Sequence, residues 1–121
     1  MKKRILIVDD SIISRKKIRG MLLPQFFEIT EAVNGRQALE LIFEQPFDCI
    51  LLDLLMPEVE GQEVLEQMRD RGIKIPTIVL SADIQETTRT QCLNLGAIDF
   101  INKPPLPDHL INVIKLALNM N

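Results

Sequence analysis

The chain has 121 residues, of which 46% are hydrophobic and 26% are charged, so its length and composition predict one globular domain, 1–121, and exclude a disordered chain. Its net charge of -3 and its lack of Trp and Tyr argue against direct nucleic-acid binding. No apolar stretch approaches the roughly 20 residues of a membrane-spanning helix, so we expect a cytoplasmic protein with no membrane partner.

Strand-like and helix-like segments alternate along the chain. The predicted strands are Arg4–Val8, Glu28–Ala32, Asp48–Leu52, Thr77–Leu80 and Asp99–Ile101, and the first and third contain continuous runs of Val, Ile and Leu. The predicted helices are amphipathic, at about Ser11–Leu23, the segment that Asn34-Gly35 opens and Pro46 closes, Gln62–Asp70, Ile84–Leu95 and Leu106–Asn119. Strict alternation with right-handed crossovers predicts an α/β fold, a doubly wound five-stranded parallel sheet with helices on both faces.

The spacing of the apolar residues predicts which face of each helix packs on the sheet. In the fourth helix the predicted inner residues are Ile84, Thr88, Cys92 and Leu95. In the last helix, Ile111 and Leu118 lie outside the predicted inner stripe and are candidates for an exposed partner patch. Cys49 and Cys92 show no metal or redox spacing, which favours two reduced packing residues.

Polar side chains follow four of the five predicted strands. Asp9 and Asp10 follow the first strand, and Asp53 follows the third. Ser81 follows the fourth strand and Lys103 follows the fifth. Because the carboxyl ends of parallel strands meet at one edge of a sheet, we expect these side chains to lie close together. Three carboxylates crowded there repel one another unless a hard cation or protons neutralise them.

These residue types together favour phosphoryl transfer. Mg²⁺ prefers carboxylate and phosphate oxygens as ligands, and a lysine ammonium suits a phosphate oxygen. A carboxylate such as that of Asp53 is a known type of nucleophile that becomes an aspartyl phosphate. Taken alone, Asp9-Asp10 has a simpler explanation, a cap at a helix N-terminus.

The same residues resemble the receiver domains of two-component response regulators. The matching residues are Asp9-Asp10, Asp53 with Met56-Pro57 and Gly61, Ser81-Ala82, Phe100 and Lys103-Pro104. The resemblance covers nearly the whole chain, in order, and implies the flavodoxin-like strand order 2-1-3-4-5. We read Gly61 as a residue that permits close packing or a backbone turn near the site.

The resemblance also implies a metal site and a phosphoacceptor. By this resemblance Asp53 is the phosphoacceptor. Asp10, Asp53 and the backbone carbonyl of Leu55 are the direct ligands of Mg²⁺, with Mn²⁺ as an alternative ion, and Asp9 contributes through water. The three carboxylates therefore take different roles, in which Asp53 alone reacts.

Further roles follow from the resemblance. Lys103 is the counter-charge of the phosphate, and the peptide before Pro104 is cis. Ser81 is the switch hydroxyl, and Phe100 is the aromatic that changes rotamer when Ser81 moves. Leu55 and Asp83 flank the path of the hydrolytic water, so we hypothesise that they set the lifetime of the phosphoryl group.

The implied function is a phosphorylation-dependent signalling switch in a two-component phosphorelay. The phosphoryl donor is expected to be a sensor histidine kinase or a histidine phosphotransfer protein, because the single His109 reads as a surface or packing residue. Phosphorylation is expected to change the surface of the fourth helix, fifth strand and fifth helix for a downstream protein target or output domain. The protein is expected to be a monomer or a weak phosphorylation-dependent dimer.

Two other classes compete with the switch. A Mg²⁺-dependent aspartyl-phosphate phosphatase acting on small phosphoesters usually carries a second aspartate two residues after its nucleophile, where this chain has Leu55. A flavodoxin-like cofactor binder would need a phosphate-cradling loop after the first strand, where Asp9 and Asp10 would repel phosphate. We therefore expect a protein that catalyses only its own phosphorylation and dephosphorylation, and no turnover of external substrates.

Overall fold

The structure is a computed structural model that describes residues 2–22, 26–56 and 59–119. Within these ranges five strands and five helices alternate. The strands are β1 (Lys3–Val8), β2 (Phe27–Ala32), β3 (Cys49–Asp53), β4 (Thr77–Ser81) and β5 (Asp99–Asn102). The helices are α1 (Ile12–Met21), α2 (Gly35–Glu44), α3 (Gly61–Asp70), α4 (Glu86–Asn94) and α5 (Pro107–Ala117). The predicted last residue of the first helix, Leu23, and Pro57 of the matching motif lie outside the described residues.

The five strands form one parallel sheet in the order β2-β1-β3-β4-β5, which confirms the predicted fold. In the register of neighbouring strands Val8 lies beside Leu52, Asp53 beside Leu80, and Ser81 beside Asn102. The carboxyl ends of β1, β3, β4 and β5 are therefore level with one another along a single edge.

Helices cover both faces of the sheet, and each face has its own core cluster. One cluster contains residues of α2, α3 and α4, among them Ala38, Leu39, Ile42, Val64, Leu65, Met68 and Cys92. The other contains residues of α1 and α5, namely Ile18, Leu110, Val113 and Ile114. Strands buried on both faces explain the continuous apolar runs in the sequence.

Both cysteines are free and buried in these clusters. Burial raises the pKa of the Cys49 thiol to about 12. A thiol in that state is unreactive, which agrees with the packing role expected from the sequence.

The predicted inner face of the fourth helix is wrong at its first residue. The helix begins at Glu86, and Ile84 lies in the preceding loop with 80% of its surface exposed. The Asp83 carboxylate accepts hydrogen bonds from the Gln85 N–H at 2.9 Å and from the Thr88 hydroxyl at 2.8 Å. These bonds hold the loop in an Asx turn, so the helix starts beyond Ile84.

The predicted exposed patch on the last helix is also wrong. Ile111 and Leu118 are partly buried and pack against the cluster formed by α1 and α5. The most exposed apolar side chains of this region are Leu106 and Leu116, at 72% and 76%. The apolar stripe of α5 is wider than a two-position seam, as is usual for a helix on a sheet.

A membrane span would need a longer and more apolar helix than any found among residues 2–22, 26–56 and 59–119.

Candidate functional site

The edge formed by the strand ends brings together the side chains that the sequence placed there. The three carboxylates of Asp9, Asp10 and Asp53 each offer an oxygen, and these oxygens all lie within 4.8 Å of one another. Asp9 and Asp53 are buried, and Asp10 is exposed. The Lys103 ammonium lies 2.8 Å from Asp9 Oδ2 and 3.6 Å from Asp53 Oδ1. The site thus combines three acidic groups with one cation.

The Asp9 carboxylate is held by protein donors on both oxygens. Its Oδ1 accepts the Ser11 N–H at 2.9 Å, and its Oδ2 accepts both the Lys103 ammonium and the Ser14 hydroxyl. Burial acts to raise the pKa of Asp9, but the hydrogen bonds from Lys103, Ser14 and Ser11 outweigh it, so the pKa lies below its usual value. Asp9 therefore stays ionised and fixed in orientation.

Ser14 is a site residue that the sequence reasoning missed. Its hydroxyl donates to Asp9 and accepts a hydrogen bond from the Lys103 ammonium at 3.3 Å. The available signal was helical spacing, which places Ser14 on the same face as Ile18, four residues further along the first helix. The spacing predicts the face of the helix on which Ser14 lies, but it does not predict that the Ser14 hydroxyl bonds to Asp9.

Asp53 is in a different electrostatic state from Asp9. Burial raises the pKa of its carboxyl, and although Lys103 opposes this, the nearby charges of Asp9 and Asp10 add to it. Burial and charge repulsion therefore destabilise the ionised form of Asp53. A hard cation beside the three carboxylates would offset this repulsion. This donor set, made entirely of carboxylate oxygens, fits Mg²⁺.

Ser81 is fully buried at the end of β4. Its hydroxyl accepts the Asp83 N–H at 3.0 Å, so it is bonded to its own loop in this structure. Ser81 and Asp83 line a cavity of about 190 Å³ together with Leu55, whose side chain is 65% exposed. The pKa of Asp83 is lowered by its hydrogen bonds from Gln85 and Thr88.

Phe100 lies one strand away from this loop. It is buried in the cluster of α2, α3 and α4, with 6% of its surface exposed. Its carbonyl accepts a hydrogen bond from Arg89 Nη1 of α4 at 3.1 Å. This hydrogen bond ties β5 at Phe100 to α4.

Close backbone packing behind Asp53 requires a glycine. The Gly61 N–H donates to the Leu54 carbonyl at 3.1 Å. A Cβ atom at Gly61 would lie 2.5 Å from the Asp53 carbonyl oxygen and 2.8 Å from the Leu54 Cα. This confirms the predicted close packing at Gly61. The peptide between Lys103 and Pro104 is cis, as expected.

Comparisons with known proteins agree with this geometry. The family model described as the response regulator receiver domain matches residues 5–115. The transcriptional regulatory protein SrrA of Staphylococcus aureus is 40% identical over 118 residues, which cover 98% of this chain and 48% of that protein. The chain thus spans about half the length of this curated relative.

Solved structures show the same fold. The receiver domain of the Francisella response regulator 1452 has a TM-score of 0.92 and 28% identity, and the match covers 98% of each chain. A CheY-like receiver domain protein from Methanospirillum hungatei JF-1 has a TM-score of 0.91 and 29% identity, with 98% of this chain and 95% of that chain covered.

Proposed function

Because this chain belongs to the response regulator receiver domain family, we propose that Asp53 is the residue that accepts the phosphoryl group in its phosphorylation-dependent signalling. The observation that carries this assignment is the position of the Asp53 carboxylate, which lies among two other carboxylates and 3.6 Å from the Lys103 ammonium. Asp9 is already bonded through both oxygens. We further propose that residues 1–121 form one receiver domain.

Mg²⁺ is the cofactor that these residues fit, with Mn²⁺ as an alternative ion. Asp10, Asp53 and the Leu55 carbonyl would hold it directly, and Asp9 would contribute through water. When bound, the ion neutralises the crowded carboxylates and the charge of an incoming phosphoryl group.

The chain's own residues then position the transfer. The donor is the phosphohistidine of a sensor histidine kinase or a histidine phosphotransfer protein. A carboxylate oxygen of Asp53 bonds to phosphorus as the phosphorus–nitrogen bond breaks, and the electron pair stays on the imidazole nitrogen. Lys103 pairs with a phosphoryl oxygen, which requires only a short movement because its ammonium lies 2.8 Å from Asp9 and 3.6 Å from Asp53.

Incubation with acetyl phosphate and Mg²⁺ tests this function. We expect intact-protein mass spectrometry to show a gain of one phosphoryl group that persists after the donor is removed. Rapid multiple turnover of small phosphoesters, without a persistent adduct, would instead support the phosphatase. The Leu55 side chain supplies no acid or base two residues after Asp53, which disfavours that outcome.

We propose that Ser81 and Phe100 pass the signal to the surface of α4, β5 and α5. In the unphosphorylated structure the Ser81 hydroxyl accepts the Asp83 N–H. Turning toward a phosphoryl oxygen would release that bond and free the loop before α4. A partner protein or output domain would read the change, whereas direct nucleic-acid binding is not expected. A cytoplasmic location and a monomeric or weakly dimeric state stay predictions.

Ser81→Ala is expected to accept the phosphoryl group but to lose the response of α4. The amide signals of α4 and β5 should shift on phosphorylation in the wild type and stay nearly unchanged in this variant, as measured by NMR. Ser81→Thr, which keeps the hydroxyl, is the matched control. Equal shifts in Ser81→Ala and wild type would contradict the switch role.

We propose that Leu55 and Asp83 set the phosphoryl lifetime, because both line the cavity beside Ser81. Leu55→Asn should speed dephosphorylation several-fold by providing polar atoms that can orient a water. Asp83 is bonded to Thr88 and Gln85, so Asp83→Ala should act partly by loosening that turn. Leu116→Asn, at an exposed position of α5, is the control. Unchanged rates in both site variants would end the idea.

A further inference from the structure

Arg15 of α1 is a nearly buried cation directly behind the acidic site. Only 9% of its surface is exposed. Its Nη1 donates to the backbone carbonyl of Asp9 at 2.7 Å, and its Nε donates to Glu31 Oε1 at 2.9 Å. A buried guanidinium that grips a backbone carbonyl fixes the geometry of that peptide.

The carbonyl that accepts the Arg15 hydrogen bond belongs to the peptide that joins Asp9 to Asp10. On its other side the Asp9 N–H donates to the Ala32 carbonyl of β2 at 3.1 Å. The backbone is thus held by β2 and by α1 just before it reaches Asp10. The Asp10 side chain itself is exposed and makes no hydrogen bond within the described part of the chain. The position from which it projects therefore depends on the main chain that Arg15 holds.

Glu31 completes the arrangement by compensating the charge of Arg15. It is a residue of β2, paired with Ile7 of β1 in the sheet register. Its other oxygen accepts Arg19 Nη1 at 3.0 Å. Because a buried unpaired guanidinium is costly, the Glu31 carboxylate allows Arg15 to remain behind the site.

We propose that Arg15, supported by Glu31, is a positioning residue that orients Asp9 and Asp10 for the divalent cation. This inference rests on the proposed function of the site. The charge of Arg15 and its hydrogen bond to Asp9 have opposite effects on Mg²⁺ affinity, which makes the inference testable. Its positive charge repels a cation, so removing the charge alone would tighten Mg²⁺ binding. Losing the hydrogen bond to the Asp9 carbonyl would instead weaken Mg²⁺ binding.

The test measures Mg²⁺ affinity of the full chain by isothermal titration calorimetry. We expect Arg15→Gln to bind Mg²⁺ about tenfold more weakly, the usual range for a residue that orients a metal ligand. Arg15→Lys keeps the charge but carries its donors on a single nitrogen, so its Mg²⁺ affinity should lie between those of Arg15→Gln and wild type. At saturating Mg²⁺, the rate of phosphorylation by acetyl phosphate should return close to the wild-type rate, because Asp53 and Lys103 are untouched.

Arg19→Gln is the matched control. It removes another positive charge from α1 and a bond to the same carboxylate, but its hydrogen bond goes to Glu31 Oε2 and not to the Asp9 carbonyl. It should bind Mg²⁺ as tightly as wild type or slightly more tightly. Equal or tighter binding by folded Arg15→Gln would overturn the inference, and if that variant does not fold, wild-type affinity of Arg15→Lys would do so.

A metal-free measurement separates this inference from the proposed function. The Asp10 amide signal should shift in Arg15→Gln, or in Arg15→Lys if the former does not fold, and stay in place in Arg19→Gln. An unmoved signal in the Arg15 variant would overturn the positioning role. Failure of the wild type to bind Mg²⁺ would overturn the proposed metal site, whereas the amide signals would still show whether Arg15 holds the peptide between Asp9 and Asp10.

Discussion

Asp53→Asn is expected to abolish the persistent gain of one phosphoryl group from acetyl phosphate and Mg²⁺. The variant keeps the shape of the side chain but replaces the anionic oxygen by a neutral amide, which is a poor nucleophile. Asp9 should not take over, because both of its oxygens are bonded to Ser11, Ser14 and Lys103. Intact-protein mass spectrometry measures the result directly.

The same substitution should make the metal-free domain more stable at neutral pH. The folded state raises the pKa of Asp53, mainly by burial, so the folded protein binds more protons at this site than the unfolded chain does. Its contribution to stability therefore falls as pH rises through the unfolded-state pKa, and the full penalty remains above the folded-state pKa. Asparagine carries no such penalty, so its melting temperature should exceed that of wild type at pH 7 and approach it at acidic pH.

Measuring both phosphorylation and melting temperature in Asp53→Asn separates loss of the phosphoacceptor from unfolding. Loss of phosphorylation in a variant that is more stable than wild type cannot be attributed to unfolding. Asp70→Asn is the control, since Asp70 is the exposed last residue of α3, at the far end of the helix from Gly61. A full phosphoryl gain in Asp53→Asn, with loss in an Asp10 variant, would move the phosphoacceptor to another carboxylate.

The strand ends were predictable from the sequence because a buried parallel strand is typically a continuous apolar run that a polar residue follows. The first strand was predicted at Arg4–Val8 and is Lys3–Val8, and the fifth was predicted at Asp99–Ile101 and is Asp99–Asn102. Parallel topology then fixes which residues share an edge. This is why Asp9, Asp53 and Lys103 could be placed together before any coordinates.

The contacts behind the site were not predictable in the same way. Ser14 and Arg15 reach Asp9 from α1, and that contact depends on how the helix is rotated about its axis relative to the end of β1. A helical pattern gives the inner face to within a wide angle, so it cannot select one partner. The start of α4 was misplaced at Ile84 because the Asp83 turn is a side-chain effect that apolar spacing does not record.

The close backbone approach at Gly61 gives the second large effect. Gly61→Ala would place a methyl group 2.5 Å from the Asp53 carbonyl oxygen, and backbone atoms must move to admit it. Overpacking of this kind costs about 1–3 kcal/mol, which corresponds to roughly 3–6 °C in melting temperature for each kcal/mol in a domain of this size. The displaced atoms belong to Asp53 and Leu54, so phosphorylation by acetyl phosphate should slow as well.

Gly20→Ala provides the opposite expectation in the same chain. Gly20 lies in α1, and a Cβ atom there would meet nothing within 4 Å. Alanine in an open helical position stabilises by about 0.5–1 kcal/mol relative to glycine, so its melting temperature should rise and its phosphorylation rate should stay unchanged. Thermal unfolding of both variants without metal decides the matter. If Gly61→Ala were as stable as Gly20→Ala, the backbone behind Asp53 would have to be free to shift, and the tight packing would not be what positions the phosphoacceptor.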